Sequence, residues 1–94
     1  AYARTEHGYL RGTGDSSSFT ITSPGENIDI AFSYPRGSVD FWVSTIDRVG
    51  TVSRYDLDNW NSITLTGPGP FTVTVYSRNG AGSWSAWPTA APTA

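Results

Sequence analysis

Apolar and polar residues alternate along most of this chain, and no stretch repeats at the helical period of 3.6 residues. In residues 18–23, Phe19 and Ile21 oppose Thr20 and Thr22. In 27–33, Ile28, Ile30 and Phe32 alternate with Asp29, Ala31 and Ser33. In 38–46, Val39, Phe41 and Val43 share one face, with Asp40, Trp42 and Ser44 on the other. Phe71, Val73 and Val75 alternate with Thr72, Thr74 and Tyr76. Each run has the period of a strand with one wet face. Shorter signals add an edge strand in 7–12 (Tyr9, Leu10), a weak strand in 51–57 (Val52, Tyr55, Leu57), another around Ile63 and Leu65, and a last one in 83–87. Eight strands spaced by roughly 8–12 residues predict a single all-β domain, a small antiparallel sandwich of jelly-roll type.

The inward parity defines a core of Phe19, Ile21, Ile28, Ile30, Phe32, Val39, Phe41, Val43, Ile63, Leu65, Phe71, Val73, Val75 and Trp84. A polar replacement at Val43 or Val73 is expected to unfold the domain. Asp15-Ser16-Ser17-Ser18 reads as a turn held by side-chain oxygens, and Pro24-Gly25, Tyr34-Pro35-Arg36-Gly37 and Asp47-Arg48-Val49-Gly50 as reversals. Residues 56–61 read as a polar loop carrying Trp60. Gly-Pro-Gly-Pro at 67–70 stops one strand before the next begins. Arg78-Asn79-Gly80-Ala81-Gly82 tolerates left-handed backbone, so strands 71–77 and 83–87 are expected to pair as a hairpin. Residues 1–87 form the module; 88–94, Pro-Thr-Ala-Ala-Pro-Thr-Ala, have the composition of an extended tail.

Composition narrows the function. Without cysteine there is no disulfide or zinc-thiolate chemistry. Six scattered arginines, no lysine and a net charge of −2 argue against nucleic acid. No apolar run reaches the roughly 20 residues of a membrane helix. A start at Ala1 suggests a processed or excised module, expected to act as a monomer.

Catalytic groups are sparse. His7 is the one histidine, and no Gly-x-Ser-x-Gly elbow occurs. Asp29, Asp40 and Asp56 could meet only through the fold. Asp56-Leu57-Asp58-Asn59-Trp60-Asn61 offers oxygens at Asp56, Asp58 and Asn61 to a hard cation, but Trp60 occupies a ligand position and no distal Glu follows. Asp15, Ser16 and Glu26 form a second oxygen-rich set. No cofactor is expected; calcium is the one ion these oxygens leave open.

The aromatics say more. Trp42, Tyr76 and Trp87 lie at outward parity, with Tyr34 and Trp60 in adjoining turns. Large rings on a wet face need a cover or a ligand, and flat rings stack on sugars or on prolyl and apolar side chains. If strands 38–46 and 71–77 share a sheet, Trp42 and Tyr76 form one strip. Trp42, Tyr76, Trp87 and Tyr34 are the expected contact residues, with Asp40 and Arg78 as polar contacts at its edge.

Three segments resemble the bacterial pre-peptidase C-terminal domain and its collagen-binding relatives. Gly12-Thr13-Gly14-Asp15-Ser16-Ser17-Ser18-Phe19-Thr20-Ile21 is similar to the family's Gly-Asp-Ser opening. Ser38-Val39-Asp40-Phe41-Trp42-Val43 is similar to its Asp-x-Asp-Leu-Tyr-Val strand, with Ser38 in place of the first Asp. Residues 69–77 with Gly80-Ala81-Gly82-Ser83-Trp84 are similar to its closing hairpin. The acidic calcium linker of the collagen-binding relatives has no counterpart in residues 1–9. The resemblance implies a secreted, non-catalytic β-sandwich appended to an enzyme of protease type, aiding its secretion or folding, or tethering it to an extracellular polymer such as a protein fibre or polysaccharide. A carbohydrate-binding module and a structural domain of a surface or adhesive protein are the alternatives.

Overall fold

A computed structural model describes residues 5–22, 27–35, 37–57, 62–67 and 69–90. Every regular element among them is a strand: β1 (Glu6–Leu10), β2 (Ser16–Ile21), β3 (Ile28–Ser33), β4 (Asp40–Ile46), β5 (Val52–Asp56), β6 (Ser62–Leu65), β7 (Phe71–Asn79) and β8 (Gly82–Ala90). They form two antiparallel sheets, β1-β8-β3-β6 and β2-β7-β4-β5, called the first and second sheet below.

The pairing is nested. β1 pairs with β8, β2 with β7, β3 with β6 and β4 with β5, so the two halves of the chain run alongside each other as one long ribbon. Rolling that ribbon up adds the β3–β8 and β4–β7 ladders and closes the sandwich. This is the eight-stranded double-sheet order of a jelly roll. Only β4 and β5 are both consecutive and paired. Their reversal is held by Asp47, whose Oδ1 accepts the N–H groups of Val49 (3.0 Å) and Thr51 (2.9 Å).

The expected hairpin of β7 and β8 is therefore a crossing between sheets. β7 lies in the second sheet and β8 in the first. Gly80 turns the chain at φ 91°, with too little room beside Val39 for a Cβ, which would lie 2.9 Å from its Cγ1. A left-handed residue reverses direction, but the amphipathic pattern of each strand decides where it lands. The strand also continues beyond the expected start of the tail: β8 reaches Ala90, with Pro88 buried and opposite Ile30.

Between the sheets lies the expected core, every member of it buried, joined by Leu10, Leu57 and Ala86. Phe19 of β2 stacks on Trp84 of β8 across the layers, with centroids 5.7 Å apart. The expected turn at Asp15-Ser16-Ser17-Ser18 lies earlier: Ser16, Ser17 and Ser18 already belong to β2, and Asp15 closes the preceding turn by accepting the backbone N–H of Arg11 on Oδ2 and that of Ser16 on Oδ1, both at 2.9 Å. The Pro24-Gly25 turn, Glu26, Arg36, Asp58, Trp60 and Asn61 fall outside the described residues.

Candidate functional site

The outward row of the second sheet reads Ser16, Tyr76, Trp42 and Asp56 from β2 to β5, and the next reads Ser18, Thr74, Ser44 and Arg54. Strand alternation puts these side chains on the face away from the core. Trp42 and Tyr76, directly opposite in the β4–β7 ladder, stack with centroids 4.2 Å apart and planes 12° from parallel. Over the indole, on the β5 side, lies the guanidinium of Arg54, 5.0 Å from the ring centroid. The indole is thus flanked by a ring on one side and a cation on the other.

Arg78 reaches this face through a bulge. Asp40 pairs with Asn79 and Phe41 with Ser77, which leaves Arg78 as the extra residue of β7. Such insertions re-aim a side chain. Its Nη1 lies 3.6 Å from Asp40 Oδ2 and 3.7 Å from Asp56 Oδ2, tying β7 to β4 and β5. These are long, half-exposed ion pairs that contribute little energy, about 0–1 kcal/mol each. They hold the guanidinium in place between the strands. Trp42, Arg54, Tyr55, Asp56 and Arg78 line an open depression of about 380 Å³.

The fold thus brings together Trp42, Tyr76, Asp40 and Arg78, and separates them from Trp87 and Tyr34. Trp87 is on β8, in the outer face of the first sheet, opposite Ala31 and 42% exposed. Tyr34 follows β3, packs against the core and stacks on Phe41 at 5.7 Å. Of the oxygen donors considered for a cation, Asp56 pairs with Arg78, and Asp58 and Asn61 lie outside the described residues. Among the described residues no three His, Cys, Asp or Glu side chains come together as a metal site. Arg54 and Tyr55 are the lining residues that the residue pattern did not single out. The signal was present: the Asp47–Gly50 reversal sets Ile46 opposite Val52, which puts Arg54 one position diagonal from Trp42.

No family model and no curated protein matches the sequence. Solved structures do match in shape. The Yersinia pseudotuberculosis-derived mitogen superposes with a TM-score of 0.70 at 12% identity, covering 98% of this chain and 88% of that one. The Aeromonas hydrophila periplasmic inhibitor of g-type lysozyme gives 0.63 at 14% identity, over 95% and 88%. The pre-peptidase C-terminal domain of a Bacillus anthracis collagenase gives 0.59 at 24% identity, over 92% and 88%. These identities carry the architecture alone, and the chain has the β-sandwich fold of a pre-peptidase C-terminal domain, as its three sequence segments suggest.

Proposed function

We propose that this chain is a non-catalytic accessory module of a secreted, protease-type enzyme and tethers it to an extracellular polymer through the outer face of the second sheet. The observation that carries this reading is the stacked Trp42–Tyr76 pair on the outer face of the second sheet, with Trp42 lining an open depression. Rings fixed in this way present apolar surface to a ligand at low cost in side-chain entropy. The shared fold with a collagenase domain and a periplasmic protein supports the secreted setting. His7 stands exposed on edge strand β1 of the other sheet, away from Asp40 and Asp56. The alternative of a carbohydrate-binding module is favoured by the charged and hydroxylated lining of the depression.

The test is co-sedimentation with insoluble collagen, cellulose, chitin and peptidoglycan. Retention on one of them is expected, with loss in both Trp42→Ala and Tyr76→Ala variants whose circular dichroism matches the parent. Retention that survives both substitutions, or retention on none, sinks the tethering role and leaves a structural domain whose rings meet neighbouring domains.

A further inference from the structure

Among the described residues, the outer face of the second sheet holds a cation, Arg54, with no carboxylate ion pair. Arg78 is shared between Asp40 and Asp56. Arg54 makes no ion pair with any described residue and instead lies over the Trp42 ring. A guanidinium held over an indole by its positive charge still carries N–H donors that the ring does not satisfy. The ring contact also limits the motion of the long side chain, so less freedom is lost when those donors engage a ligand. Arg54 lines the depression together with Trp42, Tyr55, Asp56 and Arg78.

We infer that this depression takes the carboxylate of a uronic acid residue within an otherwise neutral glycan, with Arg54 as the carboxylate clamp. A planar carboxylate matches the guanidinium fork with two parallel hydrogen bonds. The same site disfavours an acidic peptide. Asp56 lines it, Asp40 lies behind it on Arg78, and the chain carries a net charge of −2, so closely spaced carboxylates would be repelled. A uronate set among neutral sugars brings one charge with many hydroxyl groups. Those hydroxyls can donate to the Asp56 carboxylate, and the apolar C–H groups of a sugar ring can rest against the outer edge of the Trp42 indole, whose two faces Tyr76 and Arg54 cover. The inference rests on the reading that this face binds a polymer, and it narrows the polymer to a class.

The experiment titrates the 94-residue chain with three soluble probes by calorimetry. These are hyaluronan oligosaccharides, in which glucuronate alternates with N-acetylglucosamine, neutral chitin oligosaccharides and polyglutamate. Hyaluronan is expected to bind most tightly. Arg54→Gln should weaken it by about ten- to a hundredfold, the range for a hydrogen-bonded charged group. Arg54→Lys, which keeps the charge and loses the fork, should weaken it too. Both variants should stay folded, Arg54→Gln melting a few degrees below the parent through loss of the cation over Trp42 and Arg54→Lys closer to it. Equal hyaluronan affinity in parent and Arg54→Gln overturns the clamp, and tighter binding of polyglutamate overturns the glycan. Binding of chitin alone, lost in Trp42→Ala and kept in Arg54→Gln, overturns the uronate but leaves the tethering role standing. Failure to bind any of the three probes overturns the inference as well; whether the tethering role falls with it is then decided by the insoluble-polymer assay.

Discussion

Gly8 lies directly opposite Trp84 in the β1–β8 ladder, and a Cβ at that position would sit 2.8 Å from the indole Nε1 and 2.9 Å from Cε2. The indole cannot give way easily, being 3% exposed and stacked on Phe19. Two effects of opposite sign meet in Gly8→Ala. Loss of unfolded-state freedom would stabilise by about 0.4–1 kcal/mol, whereas overpacking a filled core costs about 1–3 kcal/mol. Overpacking wins, so the variant should unfold at lower urea concentration and melt several degrees below the parent. An unchanged or higher melting temperature would show that the indole moves freely.

The β4–β5 reversal makes a second case. Asp47 joins it through two side-chain acceptor contacts and through its own backbone, N–H to Thr51 O at 3.1 Å and O from Gly50 N–H at 3.1 Å. Asp47→Ala removes the side-chain acceptor and leaves the backbone pair. A loss of about 1–3 kcal/mol is expected from two hydrogen bonds to a charged group, discounted for partial exposure. Asp47→Asn keeps one acceptor oxygen and should recover part of that loss in urea melts.

The crossing from β7 to β8 separates two causes at one residue. Gly80→Ala meets both a positive φ of 91° and contacts of 2.9 Å to Val39 Cγ1 and 3.2 Å to Ser38 O. A destabilisation of about 1–3 kcal/mol follows. Asn tolerates left-handed backbone better than other residues, yet it carries the same Cβ. Gly80→Asn should therefore recover little, and recovery close to the parent would assign the cost to backbone alone.

These positions also mark what could be read from the sequence. Alternation fixes which side chains face inward, and for Phe19, Val43 or Val73 that sufficed, since each lies mid-strand. Leu10 and Leu57 sit at or just past strand ends, beside Gly12 and a polar loop, where two residues are too few to establish a period. Pairing is a different matter. Gly80 signals a reversal equally well for a hairpin and for a crossing between sheets, so β7 and β8 looked like neighbours. The Trp42–Tyr76 contact was legible only conditionally, because its ladder joins strands more than thirty positions apart. Trp87 has the same outward parity as Trp42 but belongs to the other sheet, a distinction that parity does not carry.

Asp15 gives the fold a pH dependence with a definite sign. Its carboxyl is held below the ordinary value of 3.8, first by the backbone N–H of Arg11 and then by that of Ser16, with the Arg11 side chain adding to both. A depressed carboxyl contributes stability that is fully present above its unfolded value and lost as pH falls through the folded one. The turn between β1 and β2 should therefore weaken below about pH 4. Urea midpoints measured from pH 7 down to pH 2 should fall less steeply in Asp15→Asn than in the parent. Parallel curves would mean that Asp15 is not a source of the acid sensitivity.

The stack on the second sheet yields a set of couplings that must be mutually consistent. Trp42 is flanked by Tyr76 and Arg54, whereas each of those touches the indole from its own side. Trp42→Ala removes both contacts at once and should destabilise more than Tyr76→Ala or Arg54→Ala. In double-mutant cycles the Trp42–Tyr76 pair should couple by about 0.5–1.5 kcal/mol. The Trp42–Arg54 pair should couple by about 0.5–1 kcal/mol, as for an exposed cation over a ring. Tyr76 and Arg54 share the indole as a partner, so any coupling between them should run through it and vanish in the Trp42→Ala background. A coupling between those two that persists in Trp42→Ala would mean that they touch directly, so that the indole does not stand between them and Arg54 is not positioned by Trp42.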